Sequence, residues 1–277
     1  MSNMLKRALS GAVYVALVVI CILCGAEWFM GLTMLFTVLA MIELQGVLDK
    51  SSHLGLSIRV FDIVAGLVSV AVLGFAVSQI VSGYLLFSGI ILMLLYFPFR
   101  MIFACFDLSE HPARNALYSL LCQVYIAWPL GLLLMAYIVG GYEIVLATFI
   151  FIWLNDTGAY LCGITFGRHR LCERLSPKKS WEGFWGGFIL SVIAGGVTAL
   201  ILRADESCIY VMWMGFAALV SIFSTFGDLF ESLIKRTLGI KDSGTMIPGH
   251  GGILDRLDSL LAVAPVAFVF ALLMEKL

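Results

Sequence analysis

Long apolar runs fill most of the chain, and short polar segments separate them. Each run approaches the roughly 20 residues that a helix needs to cross a bilayer, where a helix satisfies its own backbone hydrogen bonds. The pattern predicts an all-α, polytopic integral membrane protein, with residues 1–277 in one membrane domain. We expect nine transmembrane helices, at about 8–26, 28–48, 60–78, 80–99, 115–138, 142–162, 184–202, 210–234 and 255–274.

Basic residues are distributed unevenly between the two sides that nine helices would create. Of the 17 Lys and Arg residues, 15 fall on the side of the N-terminus and 2, Arg203 and Lys276, on the other. Because cytoplasmic loops are enriched in Lys and Arg, we expect the N-terminus in the cytoplasm. The first helix follows Lys6 and Arg7 without a small-residue cleavage site, which favours a retained helix over a signal peptide.

Composition supports a membrane protein and excludes some functions. The chain is 61% hydrophobic and 13% charged, against roughly 25% charged residues in soluble domains. The net charge of −1 gives no basic character that would indicate a nucleic-acid partner. The seven cysteines are scattered and form neither a disulfide framework nor a zinc-ligand pattern, so we interpret them as apolar packing residues.

Polar residues are scarce in the first half of the chain, so residues 1–142 are predicted to be scaffold helices and 150–260 the catalytic part of the same domain. Glu43, near the end of the second predicted helix, is interpreted as an interfacial or helix-end residue. Asp156 lies inside the sixth apolar run, where an ionised carboxylate is costly unless a cation or hydrogen-bond donors meet it. It is a candidate binding residue; a purely structural Asp satisfied by Thr157 is the alternative.

The loop at residues 163–182 contains five basic residues. Positive-inside bias would explain some of them. However, the pair Lys178 and Lys179 is followed by Ser180 and a cluster of glycines, which favours an anion-binding cradle. We therefore predict that Lys178, Lys179 and Ser180 contact a phosphate.

Acidic residues recur at helical spacing near residues 228–258. Asp228, Glu231 and Lys235 are three and four residues apart and share one helix face. Asp255 and Asp258 likewise share a face at the start of the ninth helix. Carboxylates on two helices that face each other would supply the hard oxygen ligands that Mg²⁺ prefers. No soft ligands accompany them, so a zinc site is not expected.

The segment between these helices is basic and rich in glycine, which suits the close approach of a triphosphate. It lacks the order of a Walker A loop, G-x-x-x-x-G-K-[ST]. We interpret His250 as a phosphate contact in preference to a general base. The candidate binding residues of this segment are Arg236, Lys241, His250, Gly251 and Gly252.

Residues 232–258, called here the signature segment, also resemble a known family. They are similar, without a departure, to the signature of the phosphatidate cytidylyltransferases, or CDP-diacylglycerol synthases. The resemblance extends upstream, so it covers roughly residues 150–260. The positions that carry it are Ser232, Ile234, Lys235, Arg236, Lys241, Asp242, Gly244, Ile247, Pro248, His250 to Ile253 and Asp255 to Asp258, with Asn155 to Tyr160, Phe166, Gly167, Ser176 to Ser180, Glu182 and Gly183 upstream.

The resemblance implies the reaction of CTP with phosphatidate to give CDP-diacylglycerol and diphosphate at the cytoplasmic face. It implies that Asp228 and Asp255 are the leading ligands of a two-cation site, with Mg²⁺ as one cation and K⁺ as a candidate for the other. Asp258 and Glu231 are candidates for further coordination. Lys235 is a candidate catalytic residue beside Asp228, Asp255 and Asp258. Lys235 and Arg256 join the basic residues above as candidates for phosphate binding.

Other functions fit less well. A CDP-alcohol phosphotransferase would show D-G-x2-A-R-x8-G-x3-D-x3-D, which is absent. A polyprenol-kinase-like lipid phosphotransferase could use similar acidic helices and remains the alternative. A transporter would need a polar path to the opposite side, and the first five helices supply almost none. Short loops favour a bacterial plasma membrane, and a homodimer is a candidate assembly.

Overall fold

The computed structural model describes residues 3–52, 55–78, 82–202, 206–240, 243–244 and 251–276. Nearly all of this is helix, which confirms an all-α membrane protein. The helices are α1 (Asn3–Cys24), α2 (Ala26–Ser52), α3 (Leu56–Ser78), α4 (Ser82–Cys105), α5 (Pro112–Cys122), α6 (Trp128–Phe166), α7 (Trp181–Ile201), α8 (Ser207–Thr237) and α9 (Leu254–Glu275).

Six helical stretches among the described residues are long and apolar enough to cross a membrane. One of them, Pro112–Phe166, joins α5, a π-helical turn at Gln123–Ala127, and α6 into 55 residues. At 1.5 Å per residue a straight helix of this length would far exceed the roughly 30 Å hydrocarbon core. Gly141 breaks it with φ 83° and ψ 173°, a backbone conformation that glycine adopts readily. The number of nine crossings stays a prediction.

The chain divides into two compact units. The first contains residues 1–142 and 242–255, and the second contains residues 143–241 and 256–277. The signature segment is therefore shared between the two units. The core of the first unit includes Phe29, Met41, Leu44 and Leu73, all at most 1% exposed.

Aromatic rings from three helices form the core of the second unit. Phe151 of α6 contacts Trp213 and Phe216 of α8. Phe216 stacks on Phe270 of α9 with ring centroids 4.2 Å apart. This packing fixes α6, α8 and α9 against one another within the second unit.

A β-hairpin replaces most of the polar loop that the sequence predicted at 163–182. It pairs β1 (Arg170–Cys172) with β2 (Ser176–Ser180) in antiparallel fashion. Ser176 and Pro177 begin β2. The hairpin is the only two-stranded sheet within the described ranges.

Candidate active site

Three carboxylates meet where α8 and α9 cross in the second unit. Asp228 and Glu231 of α8 and Asp258 of α9 each have a ligand oxygen within 4.8 Å of the others. Glu231 is 1% exposed, whereas Asp228 and Asp258 are partly exposed. The predicted spacing on α8 therefore produces one face, and Asp258 lies opposite it. Burial of negative charge at this density favours a bound cation.

A glycine allows the two helices to approach at this level. A side-chain carbon at Gly227 would lie 2.7 Å from the Cβ of Ala262 and 2.8 Å from the carbonyl oxygen of Asp258. Near the same crossing, the Ser259 hydroxyl donates a 3.2 Å hydrogen bond to the carbonyl of Ser224. Because Gly227 precedes Asp228, this contact sets the separation of the carboxylates on α8 and α9.

Two lysines neutralise part of this negative charge. Lys179 Nζ lies 2.6 Å from Asp228 Oδ2 and donates a 3.4 Å hydrogen bond to the carbonyl of Thr225. Lys235 Nζ lies 2.6 Å from Glu231 Oε2, one turn away on α8. Each lysine is thus beside a different carboxylate of the cluster, and both residues were predicted from the sequence.

The hairpin and the start of α7 position Lys179. Ser180 is the N-cap of α7, and its hydroxyl accepts a 3.1 Å hydrogen bond from the Gly183 backbone N–H. Glu182 accepts from the backbone N–H groups of Arg168 and His169, and it pairs with His169 Nδ1 at 2.6 Å. Ser180 was predicted as a phosphate contact, and the structure gives its hydroxyl a capping role at the same place.

Small residues also bring α6 and α7 together. A side-chain carbon at Gly158 would lie 2.9 Å from the carbonyl of Gly186, and one at Gly187 would lie 2.6 Å from the carbonyl of Asn155. Asn155 is 1% exposed, and its Oδ1 accepts a 2.6 Å hydrogen bond from Ser221 of α8. Asn155 therefore joins α6 to α8 next to Asp156.

A cavity of about 280 Å³ opens between these elements. Four of the residues that line it were predicted to bind substrate: Asp156, Lys178, Lys179 and Ser180. Asp228 and Thr225 line it as well. Asp156 interacts electrostatically with Lys179, Asp228 and Arg256. The Thr157 hydroxyl donates instead to the carbonyl of Trp153 at 2.7 Å. The cavity thus combines cations and carboxylates from three parts of the second unit.

Asp255, Gly251 and Gly252 belong to the first unit. The Gly252 N–H donates a 2.9 Å hydrogen bond to Asp255 Oδ2. Gly251 has φ +85°, and a side-chain carbon there would lie 2.7 Å from the same oxygen. These glycines were predicted as triphosphate contacts; the structure gives them a packing role beside the Asp255 carboxylate. The role of Asp255 as a metal ligand stays a prediction.

Four candidate phosphate-binding residues remain, of which the structure describes two. Arg236 is exposed, and its guanidinium donates a 3.4 Å hydrogen bond to the carbonyl of Ile240 near the end of α8. Arg256 is exposed on the first turn of α9. Lys241 and His250 lie outside the described residues, so their predicted phosphate contacts stay predictions.

Sequence reasoning missed Asn155 and Thr225 as members of the site, and it misjudged Glu43. Asn155 belongs to the N-D-T-G stretch, so its neighbour Asp156 was the available signal. Glu43 is 5% exposed, and α2 continues for more than two turns beyond it. The expectation that Glu43 is a helix-end residue is therefore wrong, and its position relative to the membrane interface stays a prediction.

Comparisons with known proteins identify one family. A family model described as the cytidylyltransferase family matches residues 5–274. A phosphatidate cytidylyltransferase of Thermotoga maritima is 46% identical over 127 residues, covering 44% of this chain and 47% of that protein. One of Staphylococcus aureus (strain COL) is 44% identical over 126 residues, covering 46% and 48%. The matched stretch spans about half the length of these relatives.

Proposed function

This chain belongs to the cytidylyltransferase family, and from this premise we propose that it is a phosphatidate cytidylyltransferase. The reaction joins CTP and phosphatidate into CDP-diacylglycerol and releases diphosphate. The observation that carries the proposal is the cluster of Asp228, Glu231 and Asp258, in which Asp228 pairs with Lys179 at the wall of the cavity. The names of the relatives and the resemblance of the signature segment support the same substrates.

The donor set of the cluster fits Mg²⁺. Its three carboxylates provide hard oxygen atoms within 4.8 Å of one another. Opposite ligands of an octahedral Mg²⁺ with bonds of about 2.1 Å are roughly 4 Å apart, so small side-chain movements would suffice. Asp228, Glu231 and Asp258 would hold this ion, with Asp255 as a further candidate ligand and K⁺ as a candidate second cation on the resemblance alone. When bound, the ion supplies neutralisation of charge on the triphosphate.

The chain's own residues would bind and orient two anionic substrates. In the reaction, a phosphate oxygen of phosphatidate forms a bond to the α-phosphorus of CTP, and the bond from that phosphorus to the bridging oxygen of the β-phosphate breaks. Diphosphate leaves with the electron pair of that bond. The attacking phosphate is already an anion near neutral pH, so it needs orientation more than deprotonation.

Lysines next to the cavity would neutralise the charge that develops. Lys178 and Lys179 line the cavity wall, and Lys235 lies beside Glu231. Arg256 is exposed near Asp156 and can contact a phosphate from the other side of the cluster. Arg236, Lys241 and His250 are further candidates for phosphate binding from the signature segment. Fixed cations of this kind stabilise the negative charge that builds up on the leaving diphosphate in the transition state.

The distribution of basic residues indicates where the reaction would occur. With 15 of the 17 Lys and Arg residues on the side of the N-terminus, the cavity would face the cytoplasm of a bacterial plasma membrane. CTP is supplied from the cytoplasm and phosphatidate from the bilayer, so a cavity at that interface would be open to both. A homodimer remains part of the proposal as a candidate assembly.

The first experiment measures diphosphate release by detergent-purified protein with phosphatidate, Mg²⁺ and each of four nucleoside triphosphates. We expect release with CTP or its deoxy form, only with phosphatidate present, and loss of release on chelation of Mg²⁺ with recovery on its return. Asp228→Asn and Asp258→Asn should abolish turnover. Glu275→Gln, at the exposed far end of α9, is the matched control and should retain it.

The opposite results would reject the proposal. Folded wild-type protein that releases no diphosphate with any nucleotide is not a cytidylyltransferase. Release of nucleoside diphosphate with transfer of the γ-phosphate to a lipid would instead favour the lipid kinase alternative. Substantial activity in Asp258→Asn would remove that carboxylate from the proposed metal site.

A further inference from the structure

Glu43 lies in the middle of α2, yet its carboxylate contacts residues about 200 positions away in the sequence. The Ser243 hydroxyl donates to Glu43 Oε1. The Ile253 N–H donates a 2.8 Å hydrogen bond to Glu43 Oε2, and the Leu254 N–H donates a 3.3 Å bond to Oε1. All four residues belong to the first unit. The carboxylate thus joins the two ends of the 243–254 segment to one point on α2.

Two glycines of this segment lie so close to the same carboxylate that neither position has room for a side chain. A side-chain carbon at Gly244 would lie 2.9 Å from Glu43 Oε2 and Cδ. One at Gly252 would overlap Glu43 Oε1 and the Ser243 hydroxyl. Glycine is therefore required at both positions because Glu43 occupies the space where a side chain would be. Packing against Glu43 therefore explains why glycine stands at positions 244 and 252 without any contact to a nucleotide.

Glu43 also acts as a cap supplied from another helix. Ile253 and Leu254 stand at the start of α9, where backbone N–H groups have no partner within the helix. A carboxylate there satisfies them and interacts favourably with the positive end of the helix dipole. Asp255 is in this first turn, and Asp258 follows one turn later on the same helix. Within the first unit, the start of α9 therefore holds Asp255 in place relative to α2.

From these contacts we propose that Glu43 is a positioning residue, which holds Ser243, the backbone of Ile253 and Leu254 and, through that backbone, Asp255 in the geometry that catalysis requires. The catalytic part of this inference rests on the proposed function. The structural part, that Glu43 anchors the segment, does not. An aspartate would lose reach by one methylene, and a glutamine would present an amide N–H₂ to donors and keep only one acceptor oxygen.

The test uses two variants and two controls. Glu43→Gln changes the carboxylate itself, and the milder Ser243→Ala removes one of its three described hydrogen-bond donors. Glu27→Gln removes the same charge from an exposed position of α2. Leu73 is 1% exposed in the core of the first unit and makes none of the described hydrogen bonds to Glu43. Leu73→Ala therefore weakens this core without removing a hydrogen-bond donor from Glu43. All variants are measured at a temperature well below their own melting points.

Two measurements are made on each variant. Hydrogen–deuterium exchange of peptides covering 243–258 reports the anchor directly, because the Ile253 and Leu254 amides bind Glu43. We expect at least tenfold faster exchange in Glu43→Gln, a smaller increase in Ser243→Ala and none in Glu27→Gln. For kcat we expect at least a tenfold loss in Glu43→Gln with a smaller change in KM for CTP, and near-wild-type kcat in Leu73→Ala.

The outcomes separate this inference from the proposed function. Unchanged exchange in Glu43→Gln would overturn the anchor, whether or not the protein turns over CTP. Faster exchange with wild-type kcat would overturn the positioning role. Equal losses of kcat in Glu43→Gln and Leu73→Ala would mean that general destabilisation is the cause and would also overturn it. If the wild-type protein shows no turnover, the proposed function fails, and the catalytic role of Glu43 fails with it.

Discussion

The crossing of α8 and α9 at Gly227 can be tested by adding one methyl group. In Gly227→Ala the new carbon would lie 2.7 Å from the Cβ of Ala262 and 2.8 Å from the carbonyl oxygen of Asp258. Carbon atoms in contact are at least about 3.5 Å apart. The helices must therefore separate by roughly 0.8 Å at this level, next to Asp228.

This separation should affect activity more than stability. Overpacking costs roughly 1–3 kcal/mol, and the better helix propensity of alanine returns up to about 1 kcal/mol. A displacement of about 1 Å in a catalytic constellation can cost on the order of 10²-fold in rate. We expect Gly227→Ala to lower kcat by about 10- to 100-fold, because Asp228 and Glu231 move away from Asp258, while the melting temperature changes by only a few degrees.

Gly215→Ala is the matched control on the same helix. Gly215 is exposed, and a side-chain carbon there would have nothing within 4 Å. The same gain in helix propensity applies, so turnover should stay at the wild-type level with equal or slightly higher stability. Diphosphate release and thermal unfolding in detergent measure both quantities. Wild-type kcat in Gly227→Ala, or an equal loss in Gly215→Ala, would refute the argument from helix separation.

Two further predictions concern the cations and the buried amide. Lys179→Ala should lower kcat/KM for CTP by about 10²-fold or more, because Lys179 Nζ lies 2.6 Å from Asp228. Lys178→Ala, at the exposed edge of the cavity, should lower kcat/KM by less than about tenfold. A larger loss in Lys178→Ala than in Lys179→Ala would contradict these roles. Asn155→Ala should lower the free energy of unfolding by about 1–3 kcal/mol, because the buried Ser221 hydroxyl loses its acceptor. Calorimetry of Asn155→Ala, Ser221→Ala and the double variant would measure the coupling, and strictly additive losses would count against the hydrogen bond.

Local patterns in the sequence predicted much of this protein. The apolar runs predicted an all-α membrane protein because a bilayer leaves the backbone few other solutions. The spacing of Asp228 and Glu231 predicted a shared helix face because helical geometry depends only on residues a few positions apart. The resemblance of the signature segment predicted the family, which is confirmed by a match over residues 5–274.

Other parts of the site depend on pairs of residues that are distant in the sequence. Asn155 and Ser221 are 66 residues apart, and Glu43 and Ile253 are 210 apart, so no local period connects them. Glu43 was misjudged for this reason: its neighbours in α2 are apolar, and its partners lie beside the ninth helix. The hairpin at 170–180 was missed because its strands have only three and five residues, too few to show an alternating pattern.

The amino-acid sequence by itself determined which segments become helices, which faces of α8 and α9 are acidic, and where the glycines fall. Only the tertiary structure decided which of these features meet. Gly227 matters because Ala262 lies against it, and Gly252 matters because the Glu43 carboxylate fills the space beside it. The physical reason is that helix formation follows from interactions within a few residues, whereas the separation of two packed helices depends on atoms that only the folded chain brings together.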